Sequence, residues 1–201
     1  MDFSIDTGYT SLSTRESNGS GTLHYIYSIT KTSVAAAVLQ LVEEGKLTLN
    51  TTVGDILPEV EFDPVYINTS ATVITDALEL LGKSSWTAGG MVSRAEDIAR
   101  WGYELYSRNA VVSPAIRDKM LDSVSRFSQS DKEAYGYGIR KIYHNSASLV
   151  GSYGRSIGSE NCMFYNPNKD TCYVILTSSN TSKDRTPNID QLLFSLQETT
   201  P

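Results

Sequence analysis

Between Val34 and Val42 every residue except Gln40 is apolar, and Gly45 stands just beyond. A run of this kind has to be buried, and its length predicts a helix of about four turns with Gly45 as its C-cap. The residue that fits least is Lys31. It falls in the first turn of the predicted helix, where the macrodipole is positive and a cation is disfavoured. Ser28 precedes it by three residues, so both side chains leave one face of the helix, one turn apart.

Backbone N–H groups at a helix start have no intrahelical acceptor, so Ser28 offers a hydroxyl together with a donor for an oxyanion. Burial and the positive helix end both lower the pKa of Lys31, and a partly neutral amine can take a proton from a hydroxyl. The plainer reading is a lysine whose stem packs and whose head reaches water beside an N-cap serine. Ser-x-x-Lys is a weak signal by itself, although Ser28 and Lys31 are its single occurrence in a chain with many serines.

Composition narrows the classes. A chain of 201 residues, 40% hydrophobic and 20% charged, fits one globular domain, residues 1–201, with a core of ordinary size. A net charge of −6 and a pI near 4.9 argue against nucleic acid or an anionic membrane as partner. No apolar run reaches the ~18 residues of a spanning helix, and Met1-Asp2-Phe3 does not open a signal peptide. Neither His24 nor His144 has a neighbour spaced as a metal ligand, so no metal or cofactor is expected. Of the two cysteines, Cys162 and Cys172 flank a strand–turn–strand segment. If Asn166 pairs with Thr171, Cys162 lies near Ile175 and points away from Cys172, which predicts two free buried thiols.

Along the chain, "FSIDTGYTSL" and "LHYIY" read as strands on either side of a Ser/Gly/Asn-rich loop. The stretch 47–64 reads as extended or turn-rich, and residues 71–81 carry helical periodicity. Ser93 and Glu96 form a potential capping box before a helix with Ile98, Trp101 and Leu105 on one face. Ser113-Pro114 starts another helix. From residue 136 come three strand-like runs, the last split into a hairpin at "NPNKD", and then a C-terminal helix, "NIDQLLFSLQE". The sum is an α+β fold, an antiparallel sheet flanked by helices.

The stretch "SITKTSVAAAVLQLVEEGKLTLNTTVGDILPE" resembles the nucleophile segment of the serine β-lactamase-like family, which includes class C β-lactamases, D,D-peptidases and related esterases. "WTAGGMVSRAEDIARWGYELY" and "YGYGIRKIY…VGSYGRSIGSENCMFYNPNKDTCYVILT" resemble its Gly-Gly segment and its terminal strands, in the family's order. The resemblance implies a β-lactamase/transpeptidase-like fold, a small-molecule substrate and an acyl-enzyme on Ser28 activated by Lys31. The family's Tyr-x-Asn box is matched by "YIN", so Tyr66 would share the proton relay and Asn68 would orient lysine and substrate. "YHN" at 143–145 matches the bare triplet too, and a packed core tyrosine is the plainer alternative for Tyr66. The third box, normally Lys or His, any residue, then Gly, falls on Ser152, Tyr153 and Gly154. Ser152 departs from it. The N–H of Arg155 takes the place of the second oxyanion donor, and its side chain either restores a positive charge for a substrate carboxylate or is a surface residue.

Against the family pattern, the chain lacks the N-terminal helix and first strand, and the helical subregion over about 50–125 is shortened. A cleft opened in this way would leave an apolar patch able to drive self-association. Two readings follow: a serine hydrolase cleaving a small ester, amide or β-lactam/D-Ala-type substrate, or a catalytically impaired relative that binds a ligand or partner. An unrelated α+β domain would instead leave Ser28, Lys31 and Gly154 far apart. The family suggests a bacterial source and leaves the compartment open.

Overall fold

A computed structural model of the chain describes residues 3–11, 13–58, 85–108, 110–122, 133–145, 147–156, 159–178 and 188–199. Its centre is a five-stranded antiparallel meander: β5 (Glu133–Tyr135), β6 (Arg140–His144), β7 (Ala147–Ser156), β8 (Ser159–Asn166) and β9 (Thr171–Ile175) lie side by side in chain order. β1 (Tyr9–Ser11) pairs with β2 (Glu16–Ser17), and β3 (His24–Tyr25) pairs with β4 (Val92–Ser93). The helices are α1 (Thr30–Glu43), α2 (Val53–Ile56), α3 (residues 85–89), α4 (Ala95–Tyr103), α5 (Pro114–Leu121) and α6 (Ile189–Thr199). Helices and antiparallel sheet together give the α+β class expected.

Alternation along β7 and β8 sorts the core into two layers, because successive side chains of a strand point to opposite faces. Tyr153, Cys162 and Phe164 face α6, where they pack with Ile189 and Leu193. Val150, Met163 and Tyr165 face the other way, toward Ile29, Ala36 and Leu39 of the α1 region, Ile98 of α4, Leu105 of the turn that follows it and Met120 of α5. The hairpin register is the one read from the sequence: Asn166 opposes Thr171 and Cys162 opposes Ile175. Both cysteines are free. Cys162 belongs to the α6 layer and Cys172 packs against the other.

α1 ends where Gly45 predicts. Gly45 has φ +71°, its N–H donates to Val42 O, and Lys46 N–H donates to Leu41 O, the paired bonds of a Schellman cap. The expectation of a deeply buried helix is corrected. Thr30, Thr32, Ala36 and Leu39 are buried, but Val38 and Leu41 are exposed, since the sheet covers only one side of α1.

Three further differences have local causes. Ser93 is spent in the β3–β4 ladder opposite His24, so Arg94 becomes the N-cap of α4 and no capping box forms. In the stretch read as extended or turn-rich, Thr52 and Asp55 build a capping box of their own and wind one helical turn, α2. β5 was not among the strand-like runs. It pairs with β6 across a turn in which Gly138, at φ +73°, brings its carbonyl to Thr32 Oγ1 (3.0 Å). Ser113 and Pro114 cap and open α5 as expected. The predicted helix at 71–81 lies outside the described residues, as do residues 59–84, 109 and 123–125 of the region read as shortened.

Candidate active site

Ser28 sits in a single 3₁₀ turn, Tyr27–Ile29, that runs directly into α1. The turn keeps the i, i+3 relation, and Lys31 Nζ donates to Ser28 Oγ at 2.8 Å. The same Nζ donates to the carbonyl of Ala88 at 2.6 Å. Burial lowers the Lys31 pKa from the ordinary lysine value of 10.5. The contact with Ser28 is partly buried and that with Ala88 is exposed, so the amine is held against the hydroxyl at the edge of the fold. The residue before Ser28 is strained. Tyr27 has φ +46°, a left-handed conformation that costs a side-chain-bearing residue about 1–2 kcal/mol.

Three elements hold this turn. Ile26 N–H donates to Met91 O (3.0 Å) and Met91 N–H to Thr30 Oγ1 (3.3 Å), docking the segment after α3 along it. The approach is close at Gly89, where a Cβ would stand 3.3 Å from the Tyr27 carbonyl carbon. From the sheet, Ser152 Oγ donates to the Ser28 carbonyl at 3.4 Å. Two residues on, a Cβ at Gly154 would stand 2.0 Å from Ile26 O, so only glycine lets β7 pass. Opposite Gly154, the fully buried Asn161 donates from Nδ2 to Tyr25 O (2.7 Å) and accepts the N–H of Thr177 at Oδ1 (2.8 Å).

The structure thus brings Ser28, Lys31, Ser152 and Gly154 together. It separates the side chains of Tyr153 and Arg155 from them, correcting their expected place beside substrate. Both leave β7 toward α6, as strand alternation requires. The Tyr153 hydroxyl donates to Asp190 of α6, and burial raises its pKa. Arg155 pairs with Glu160 at 2.6 Å, with its guanidinium 4.8 Å from the Tyr153 ring centre. Its charge is therefore on the far face, and only its backbone remains near the site. Ser152 is turned inward, toward the carbonyls of Ser28 and Tyr153.

Tyr66 and Asn68 lie outside the described residues. Their rival, Tyr143, opposes Ser148 at the far end of β6, about 13 Å along the strand from Ser152. "YHN" there is hairpin chemistry: Asn145 has φ +53° in the turn between β6 and β7. Sequence reasoning missed the Ala88 carbonyl and Asn161. A backbone acceptor has no signature in residue type. A buried asparagine on a strand looks like any polar residue until its partners are known.

Among the described residues no group of acidic, histidine and cysteine side chains could hold a metal, and no helix is long and apolar enough to cross a membrane.

The fold is β-lactamase-like. The Beta-lactamase family model matches residues 4–75, the segment that carries Ser28 and Lys31. D-amino acid amidase from Ochrobactrum anthropi SV3, in complex with L-phenylalanine amide, superposes with a TM-score of 0.74 at 13% identity, covering 96% of this chain and 89% of that one. A penicillin-binding protein from Bacillus halodurans gives 0.68 at 14% identity over 96% and 90%. SurE with D-Leu gives 0.65 at 16% identity over 86% and 63%. No curated protein matches the chain. The protein therefore has the α+β fold of the serine β-lactamase and penicillin-binding protein family.

Proposed function

We propose that the chain is a serine hydrolase that forms an acyl-enzyme on Ser28 and cleaves a small ester, amide or β-lactam/D-Ala-type substrate. The observation that carries this reading is the 2.8 Å contact between Lys31 Nζ and Ser28 Oγ, made by an amine whose pKa burial has lowered. When that amine is neutral, the Ala88 carbonyl holds one N–H and leaves the lone pair for the Ser28 proton.

In the proposed reaction Ser28 Oγ attacks the carbonyl carbon while its proton passes to Lys31. The tetrahedral oxyanion is received by the N–H groups of Ser28 and Arg155. Collapse returns the proton to the leaving group and forms the acyl-enzyme, and water then releases the acid through the reverse proton path. Tyr66 and Asn68 are the proposed relay and orienting groups. Relatives with this fold include an amidase and a penicillin-binding protein, which supports hydrolysis of a C–N or C–O acyl bond.

One observation favours a second reading, a non-catalytic ligand-binding relative: Ser152 replaces the third-box cation and is spent on carbonyls. Intact mass after treatment with a fluorophosphonate separates the two. The hydrolase reading expects one adduct per chain, lost in Ser28→Ala. Folded wild-type protein that stays unlabelled would leave the binding reading standing.

A further inference from the structure

Beyond Lys31, away from Ser28, α1 borders a cavity of about 300 Å³. Its wall is made by Lys31, Val34 and Val38 on one side and by Leu49, Thr87 and Tyr137 on the others. From Lys31 the helix contributes positions i+3, i+4 and i+7, which share one face, so the wall is a continuation of the face that bears the site. The turn holding Gly138 seals one side. It is pinned by the bond from Thr32 Oγ1 to the Gly138 carbonyl, and a Cβ at Gly138 would stand 2.3 Å from Ala35 Cβ.

Three properties of this cavity point to one occupant. It is concave, yet Val38 is 44% exposed, Leu49 48% and Tyr137 45%, so apolar surface is wetted that a ligand could dry. Its volume falls at the small end of ligand pockets and is about twice that of an apolar cavity known to hold benzene. Lys31 lines it while touching Ser28, so a group attached to a carbonyl at Ser28 Oγ lies within one lysine side chain of the opening. Charge points the same way. Among the described residues, the strand that would supply a cation carries Ser152 turned inward and Arg155 on the opposite face.

We infer that this cavity receives an apolar group borne by the acyl part of the substrate, so that the preferred substrates are uncharged esters or amides of medium-chain aliphatic or aryl-substituted acids. The inference rests on the acyl-enzyme reading and adds the class of acid to it.

The test is the series of p-nitrophenyl esters from acetate through butyrate and hexanoate to octanoate, with the succinate half-ester as a charged member. In the wild-type chain kcat/KM rises about two- to fourfold for each methylene that enters the cavity, and levels once it is full. The succinate half-ester falls at least about tenfold below butyrate, which is about 1.4 kcal/mol. Val38→Phe fills the opening from a surface position and brings the hexanoate-to-acetate ratio close to one. A length-independent series with normal labelling of Ser28 overturns the cavity assignment and leaves the hydrolase reading intact. A preference that survives Val38→Phe, beside a sedimenting dimer that Val38→Glu dissociates, overturns it by giving the cavity to a second copy. Failure to cleave any ester or to label Ser28 removes both readings together.

Discussion

The two faces of the central sheet are built by different means. Toward α6 the layer is closed: Phe164, Cys162, Leu149 and Leu193 are fully buried, and polar ties join Tyr153 to Asp190 and Lys169 to the Gln197 carbonyl. Toward α1 the layer is buried only where strand and helix touch. Around that contact stand a strained Tyr27, a lysine directed into a polar corner and a row of exposed apolar residues on α1 and Leu49. The closed face derives its stability from apolar area. The open face gives up part of that area, and it is there that the proposed nucleophile and base lie, beside a cavity. On the proposed reading, stability and chemistry are divided across a single layer of strands rather than between domains.

Removing the base breaks the comparison most sharply. Lys31→Met is expected to lower acylation by a fluorophosphonate or ester about 10³-fold, since positioned acid–base groups contribute on that order. Chemical denaturation should show no loss of stability, because a partly buried amine is replaced by an apolar side chain of similar length. In the wild-type chain the acylation rate should rise with pH and reach its plateau below the ordinary lysine value of 10.5, since the charged form is disfavoured by burial. A rate still climbing through 10.5 would mean that the amine is not held dry.

A pair of truncations measures the two faces directly. Leu193→Ala empties a fully buried position against the sheet and is expected to cost about 3 kcal/mol in urea unfolding. Val38→Ala, on the uncovered side of α1, should cost less than about 0.5 kcal/mol. Equal losses would show that α1 is covered in solution.

An effect well below those of Lys31→Met and Leu193→Ala concerns the polar tie on the open side. At the β8–β9 turn Asp170 accepts Ser107 Oγ (2.7 Å), Tyr165 OH (2.8 Å) and Tyr103 OH (2.9 Å), joining the hairpin to α4 and the turn that follows it. These bonds hold its carboxyl below the usual value of 3.8. A lowered folded pKa means that the unfolded chain binds more protons in acid, so the stabilisation is present above 3.8 and lost as pH falls through the folded value. Asp170→Asn should therefore cost about 1 kcal/mol at neutral pH, discounted for the exposure of the turn, and nothing in strong acid. Asparagine tolerates the φ of +47° at this position, so the backbone is not the cause of the difference.

Legibility in the sequence followed the same division. The β8–β9 hairpin was readable to the residue, because turn chemistry at 166–171 fixes the register and period-two alternation then places each cysteine. α1 and its cap were readable from one apolar run and one glycine. Less legible was whatever depends on distant partners. Exposure of Val38 depends on what packs beside α1. The inward turn of Ser152 depends on the Ser28 carbonyl, and the partners that hold Arg155 on the α6 face, Glu160 and the Tyr153 ring, are set by the β7–β8 pairing. Of the site, the serine–lysine pair was visible in its spacing, whereas its acceptor, the carbonyl of Ala88, comes 57 residues later and from the backbone.

The separation of Cys162 from Cys172 has a use of its own. Burial raises both thiols, that of Cys172 up to about 12, so neither reacts readily while the strands stay covered. A slow alkylating reagent followed by peptide mapping would then time two events in one experiment: modification of Cys162 would mark the peeling away of α6, and modification of Cys172 the lifting of α4. The fold carries a clock on each side of its middle layer, and the order in which they run down would tell which half lets go first.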